Sequence, residues 1–384
     1  MTKHISFPSI EQYRNVIKCV RDRAAYHKVP VPTLKFRGSV KIHGTNAGVV
    51  MDLATGEIWS QSREQLISVD KDNAGFARYV EDHKDTFTAF LNVARIVYGI
   101  GKADYLAVYG EWCGQGILKG CAIHQLSKRF IVFGIAAVTP TGTEGDVNNS
   151  DDRDWFTPEQ VNDVFVGLFG SNEAGDVLTY RDHPDVGIYS VFMLPTFEMT
   201  IDFIRPEESQ NQLVELTAAV EKECPVGKHW GVSGVGEGIV WKCYETFLIP
   251  NNNTEGEVKA VGLIPFRTSD LVFKVKGAKH SESKTTQTSL VDVEKMRSVN
   301  EFVEKVVTEN RLSMVIEKMK AENIDVSVEK TGEFLKRVGQ DVLKEESDTI
   351  TASGFEKKDV MPTVNRFARN WYMKKLNEMV GLPA

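Results

Sequence analysis

No stretch of the 384 residues approaches the ~18 uncharged apolar residues that a membrane-crossing helix needs. The first residues, Met1-Thr2-Lys3-His4, lead into a mixed polar segment without the apolar centre of a secretory signal. Cysteine is scarce. Cys19, Cys113, Cys121, Cys224 and Cys243 are odd in number and form no C-x-x-C pair, which speaks against a disulfide framework and a structural zinc site. Internal repeats and low-complexity tracts are missing too, which excludes a repeat array. A reduced, intracellular, cytoplasmic protein with no membrane contact is expected, built as two or three domains with an ordinary 42% hydrophobic and 26% charged composition.

Positive charge is also in deficit: the net charge is −7, which at first argues against a nucleic-acid partner. The distribution of that charge points the other way. Residues 1–144 hold 18 Lys/Arg against 13 Asp/Glu, whereas 145–225 hold 4 against 17. The remainder is near balance, at 7 against 5 over 226–280 and 17 against 18 over 281–384. One acidic segment masks a mildly basic body, and phosphate attraction follows the local field rather than the total.

From Ser9 to His27, Ile10, Tyr13, Val16, Ile17, Val20 and Ala24 recur at helical spacing. Leu34 to Arg63 reads as strands, with Thr55-Gly56 turning a hairpin. Phe76 to Tyr98 is helical; Tyr105–Glu111 and Arg129–Val138 are apolar, β-rich runs. After a Gly/Asn/Thr/Asp-rich linker between Thr141 and Ser150 come a helix over Pro158–Phe169, a strand over Phe197–Phe203, a helix over Glu207–Glu223, and strands over Gly236–Tyr244 and Ser269–Gly277. Past a polar linker, His280 to Gln287, the pattern turns wholly helical over 289–320, 328–346 and 362–380. The expected fold class is therefore α+β, with residues 1–280 as the catalytic body (145–225 an acidic segment within it) and 281–384 as an all-α domain.

The strongest local signal is Lys41-Ile42-His43-Gly44-Thr45-Asn46, set between two strands, where Gly44 is expected to turn the chain and display Lys41 and Asn46. This K-x-H-G-T-N segment resembles the adenylylation motif of phage RNA ligases and trypanosome RNA-editing ligases, within the covalent nucleotidyltransferases. Companion motifs follow in the order that resemblance requires. Ser60-Gln61-Ser62-Arg63 looks like the arginine-bearing second motif, and Val108-Tyr109-Gly110-Glu111-Trp112 like the strand whose glutamate binds ribose. Phe130-Ile131-Val132-Phe133 looks like the strand whose ring stacks on adenine. Glu237-Gly238-Ile239-Val240-Trp241-Lys242 is similar to E-G-x-V-x-K, and Leu271-Val272-Phe273-Lys274-Val275-Lys276 to the closing K-x-K.

The resemblance implies an adenylyltransferase fold of antiparallel sheets and helices, with ATP and Mg²⁺ as cofactors and RNA ends as partners, nicked duplex ahead of single strands. It implies a monomer, and a phage protein acting in its host cell fits. Lys41 would be the nucleophile, helped by Glu237, Lys274 and Lys276. Asn46, Arg63, Glu111, Phe133 and Lys242 would complete the nucleotide site, and Glu237 would be the metal ligand. Elementary chemistry supports each role. A lysine attacks only as the neutral amine, which neighbouring cations or desolvation favour. Lys274 and Lys276, two apart on a strand, face one way while Phe273 and Val275 face the core. Glu237 is a hard oxygen donor suited to Mg²⁺. Glu111, ending a buried strand, needs a partner such as ribose hydroxyls or an arginine.

This chain departs from the pattern at three points. Val40 stands where relatives carry Glu, Ala47 where they carry an aromatic, and Gly134 where phage relatives carry Asp. Strand parity raises a further difficulty, since Glu237 and Lys242, five apart, would face opposite sides of a regular strand. A DNA ligase, a GTP-using capping enzyme, or a non-catalytic RNA-end binding module are the competing readings. The His-Gly-Thr-Asn form and the retained Lys41, Glu237, Lys274 and Lys276 favour an RNA ligase. The C-terminal helices carry no nucleophile or metal motif. They are either a packing or dimerisation bundle or a grip on nucleic acid through Arg366, Arg369, Lys374 and Lys375, and are expected to be dispensable for the first step.

Overall fold

The computed structural model describes residues 2–99, 103–139, 153–170, 186–244, 268–280, 290 and 298–379. The linkers read at 141–150 and 281–287, the start of the first C-terminal helix, and Asp151 and Asp152 lie outside the described residues.

A two-residue strand β1 (Glu11–Gln12) precedes helix α1 (Tyr13–His27). The helix starts later than its apolar spacing suggests because Glu11 and Gln12 are drawn into a sheet edge, pairing with Phe273 and Lys274. Strands β2 (Thr33–Val40), β3 (Thr45–Asp52) and β4 (Ile58–Ser62) follow. The single helix expected over Phe76–Tyr98 is two, α2 (Phe76–Asp82) and α3 (Lys84–Tyr98), because His83 leaves the helical basin at φ −118°, ψ 28°. Next come β5 (Tyr105–Cys113), β6 (Arg129–Val138), β7 (Arg153–Trp155) and α4 (Pro158–Phe169), whose start is fixed by a reciprocal Thr157/Gln160 capping box. Then follow β8 (Ile188–Ser190), β9 (Thr196–Asp202), α5 (Glu207–Lys222), α6 (Pro225–His229), β10 (Gly238–Cys243) and β11 (Val272–Lys276).

These strands make two sheets, ordered β1-β11-β10-β2-β9 and β4-β3-β5-β6-β7, with β8 also on β6. Neighbours are antiparallel except β1–β11 and β6–β8. The first sheet packs Phe36, Ile239, Trp241 and Phe273 against α1 and α5, and the second packs Val49, Val108 and Phe130 against α2, α3 and α4. The acidic stretch is thus structural where it is described. Arg153, within that acidic segment, is buried on β7, where it donates to the Ser6 carbonyl (2.6 Å).

The C-terminal part is helical: α7 (Val299–Val306), α8 (Glu309–Ala321), α9 (Thr331–Glu345), α10 (Ser347–Ala352) and α11 (Lys357–Met379). Thr308 caps α8 through the Arg311 amide and so splits the expected long first helix. Phe302, Phe334, Val338, Val364 and Tyr372 form this part's own core. The bundle docks on both sheet layers of the body. Gln12 Nε2 donates to the Glu345 carbonyl (2.6 Å), Arg14 pairs with Asp348, and the Ala74 amide donates to Ala321 O (3.1 Å). Among the described residues no helix is long and apolar enough to cross a membrane.

Candidate active site

Where the two sheets diverge, a cleft of about 730 Å³ opens between them and the helical bundle, within the size range of ligand sites. Lys41 lies in the connection from β2 to β3, where its amide donates to Gly238 O (2.8 Å). Gly44 bends the chain between β2 and β3 as expected, though without a left-handed φ. A Cβ there would lie 2.4 Å from Trp112 O, so glycine is required because this connection presses onto β5.

The chemical centre is the Glu237 carboxylate, 2% exposed. Lys41 Nζ stands 2.8 Å and Lys276 Nζ 3.5 Å from its Oε1, and His43 Nδ1 donates to Oε2 (3.0 Å). The Lys41 contact is an ion pair rather than a well-directed hydrogen bond, since Oε1 has no hydrogen-bond partner. Burial alone would raise this carboxyl; Lys41, the His43 hydrogen bond and Lys276 outweigh it and hold the group well below the usual carboxylate range. The parity difficulty disappears here. Glu237 precedes β10, so strand parity does not govern it, and Gly238 opens the strand at φ +155°, where a Cβ would lie 2.2 Å from Val275 O. Ile239, Trp241 and Cys243 then face the core, and Val240 and Lys242 line the cleft.

On β11 the expected alternation holds: Phe273 and Val275 are buried, while Lys274 and Lys276 face the cleft. Lys274 is engaged by the bundle, its Nζ 2.9 Å from Glu345 Oε1 of α9. From the second sheet, Asn46 and Glu111 are cross-strand partners and reach the cleft together. Burial, with Glu237 adding, raises Glu111 to about 7 against the opposing pull of Lys41. Arg63, just past β4, lies at the rim.

The opposite end of the cleft is aromatic. Between β5 and β6 the register slips so that Tyr109 pairs with Gly134 and Gly110 with Val132, leaving Phe133 unpaired. This bulge aims Phe133 at the cleft, 4.9 Å from the Phe7 ring. Phe7 also meets Trp155 at 5.6 Å. Gly134 makes the room: a Cβ there would already touch the Trp155 ring at 3.0 Å, so the position that carries Asp in phage relatives serves an aromatic wall. Lys242 lies under Trp155 (5.5 Å) and Tyr244 (5.0 Å), and burial lowers its amine to about 8. Val40 and Ala47, the other departures, are buried and support the sheets.

All nine expected residues therefore line one cleft. Sequence reasoning missed Phe7, Trp155, Glu345 and the string behind His43, whose ring meets His280 (5.5 Å), which in turn contacts Cys121 (3.2 Å). None of these carries a spacing signal. No residue of α11 lines the cleft; α8 and α9 do. Among the described residues no group of three or more His, Cys, Asp or Glu could hold a metal. The buried Glu237 carboxylate is nevertheless a hard oxygen donor of the kind Mg²⁺ takes, since that ion binds through one or two carboxylates and completes its shell with water or substrate oxygens.

A sequence model of the RNA ligase family matches residues 35–261, more than half of the chain. Among solved structures, a glutamate-to-alanine variant of the Naegleria gruberi RNA ligase with ATP and Mn is 17% identical, with a TM-score of 0.40, over 72% of this chain and 57% of that one. The same organism's ligase with PPi is 16% identical, with a TM-score of 0.39 and the same coverage. This chain thus spans little more than half the length of those ligases. No curated protein matches it.

Proposed function

The chain belongs to the RNA ligase family, and from that premise we propose that it is an ATP-dependent RNA ligase joining a 5′-phosphate to a 3′-hydroxyl. The observation that carries this reading is the convergence of Lys41, Lys276 and His43 on buried Glu237, at one end of a cleft whose other end is aromatic. That polarity suits a nucleotide, with its base among the rings and its phosphates among the lysines.

In the first step the neutral Lys41 amine forms a bond to the α-phosphorus of ATP. The α–β P–O bond breaks, pyrophosphate leaves, and the amine's proton passes to solvent. In the second, an oxygen of the RNA 5′-phosphate attacks the same phosphorus, the N–P bond breaks, and the Lys41 nitrogen takes up a proton from solvent as it leaves as the amine. In the third, the 3′-hydroxyl attacks the RNA phosphorus, loses its proton and releases AMP. Lys242, Lys274 and Lys276 offset phosphate charge, and Phe133 with Phe7 stacks the base. Glu111 accepts from the ribose hydroxyls, and Asn46 and Arg63 orient the phosphate to be sealed. Glu237, with phosphate oxygens, would hold Mg²⁺, which supplies charge neutralisation of the triphosphate when bound. The preferred substrate is a nicked duplex, as for the phage double-strand and trypanosome editing ligases that the motifs resemble, and the protein acts as a monomer.

Incubation with α-labelled ATP and Mg²⁺, then a denaturing gel, tests the first step. Label should appear on the wild type, not on Lys41→Ala, and not with GTP. Unlabelled wild type would leave only RNA-end binding. Sealing of nicked RNA, single-stranded RNA and nicked DNA separates the substrates.

A further inference from the structure

Helix α9 turns Lys336, Gln340 and Lys344, four residues apart and so on one helical face, into the cleft. Their neighbour Arg337 is neutralised by Glu322 (2.8 Å) and Glu333 (2.6 Å). Lys344 is different: its amine makes no hydrogen bond or ion pair with any described residue. Arg63, on the opposite lip, makes none either. Burial pushes the Lys344 amine below its ordinary value, and repulsion from Arg63 and Lys274 adds to the fall while Glu345 opposes it. Lys344, Arg63 and Lys274 thus share one corner of the cleft with Glu64, and Glu345 is the carboxylate that pairs with Lys274 there. Such a corner is poised for an anion with several oxygens.

We propose that Lys344 is a phosphate-binding residue of the cleft, acting with Arg63 and Lys274, and that Glu345 holds the phosphate's place until it arrives. The ligand chemistry is a phosphate group, from the polyphosphate of ATP or from the RNA 5′ end; this assignment of sources rests on the function proposed above. The helical bundle then takes part in the chemistry of the cleft, beyond the packing or grip on RNA that its sequence suggested.

The test uses full-length protein and inorganic pyrophosphate as the probe, titrated by calorimetry into wild type, Lys344→Ala, Lys344→Arg and Glu345→Gln. Lys344→Ala should bind it about tenfold more weakly, Lys344→Arg close to normally, and Glu345→Gln more tightly. Adenylylation kinetics and sealing by adenylylated enzyme then distinguish the sources. A raised KM for ATP assigns the polyphosphate; slowed sealing with an unchanged KM for ATP assigns the RNA end. Unchanged pyrophosphate affinity together with unchanged steps in Lys344→Ala would overturn the proposal. So would a loss in Glu345→Gln equal to that in Lys344→Ala, which marks a shared structural effect. Wild type that binds pyrophosphate but forms no lysyl-AMP would defeat the proposed function and leave the site standing.

Discussion

Nucleotide affinity should pass through a maximum between pH 7 and 8, set by two cleft residues with opposite requirements. Glu111, raised to about 7 by burial, must be ionised to accept from ribose hydroxyls, so binding improves as pH rises through 7. Lys242, lowered to about 8 by burial, must be charged to attract phosphate, so binding weakens as pH rises through 8. At pH 7.5 about three quarters of each group is in the required state, and at pH 6 or pH 9 about a tenth of one of them is. Affinity at either extreme should therefore be about sixfold below the maximum. Without ligand the sign reverses for Glu111. The fold favours its protonated form, so the free protein gains stability as pH falls through 7. Calorimetric titration of AMP from pH 5.5 to 9.5 checks the profile. Because AMP's own phosphate titrates near the acid limb, the variants decide: Glu111→Gln should flatten the acid limb and Lys242→Met the alkaline one. An acid limb in Glu111→Gln identical in midpoint and depth to that of the wild type would refute the assignment of Glu111 to the ribose.

Phe133→Ala should raise the KM for ATP by roughly 5- to 100-fold with a smaller effect on kcat, as expected for loss of one base-stacking ring; initial-rate adenylylation measures both. Gly44→Ala should destabilise the fold by on the order of 3 kcal/mol, because the clash is with the Trp112 backbone carbonyl, and thermal unfolding reports it. Arg311→Met should cost about 3–5 kcal/mol, since it strands the carboxylates of Asp341 and Glu346, 2.9 and 3.0 Å from the guanidinium; the helical bundle should lose amide protection in hydrogen exchange before the sheets do.

Much of this molecule is determined by sequence alone. The period-two alternation of Phe273-Lys274-Val275-Lys276 dictates which side chains leave the core, because a strand has only two faces. The order of motifs from Lys41 to Lys276 names the cleft residues, and the helical spacing after residue 298 gives the bundle's buried stripe. Other features belong to the tertiary structure. Phe133 reaches the cleft through a bulge, which depends on how β5 and β6 pair and not on the composition of β6. Glu237 and Lys242 share a cleft because Glu237 precedes β10, which Gly238 opens at a positive φ under the Val275 carbonyl, so strand parity does not govern it. The N-terminal arm brings Phe7 to the aromatic end of the cleft by anchoring Ile5 to Gln61 and Tyr109, partners 56 and 104 residues away. The helical pattern over 328–346 marks α9, but nothing in a 3.6-residue period says what its polar face meets. That Lys344 and Glu345 confront Arg63 and Lys274 follows only from docking the bundle across both sheets, since long-range contacts carry no local periodicity to read.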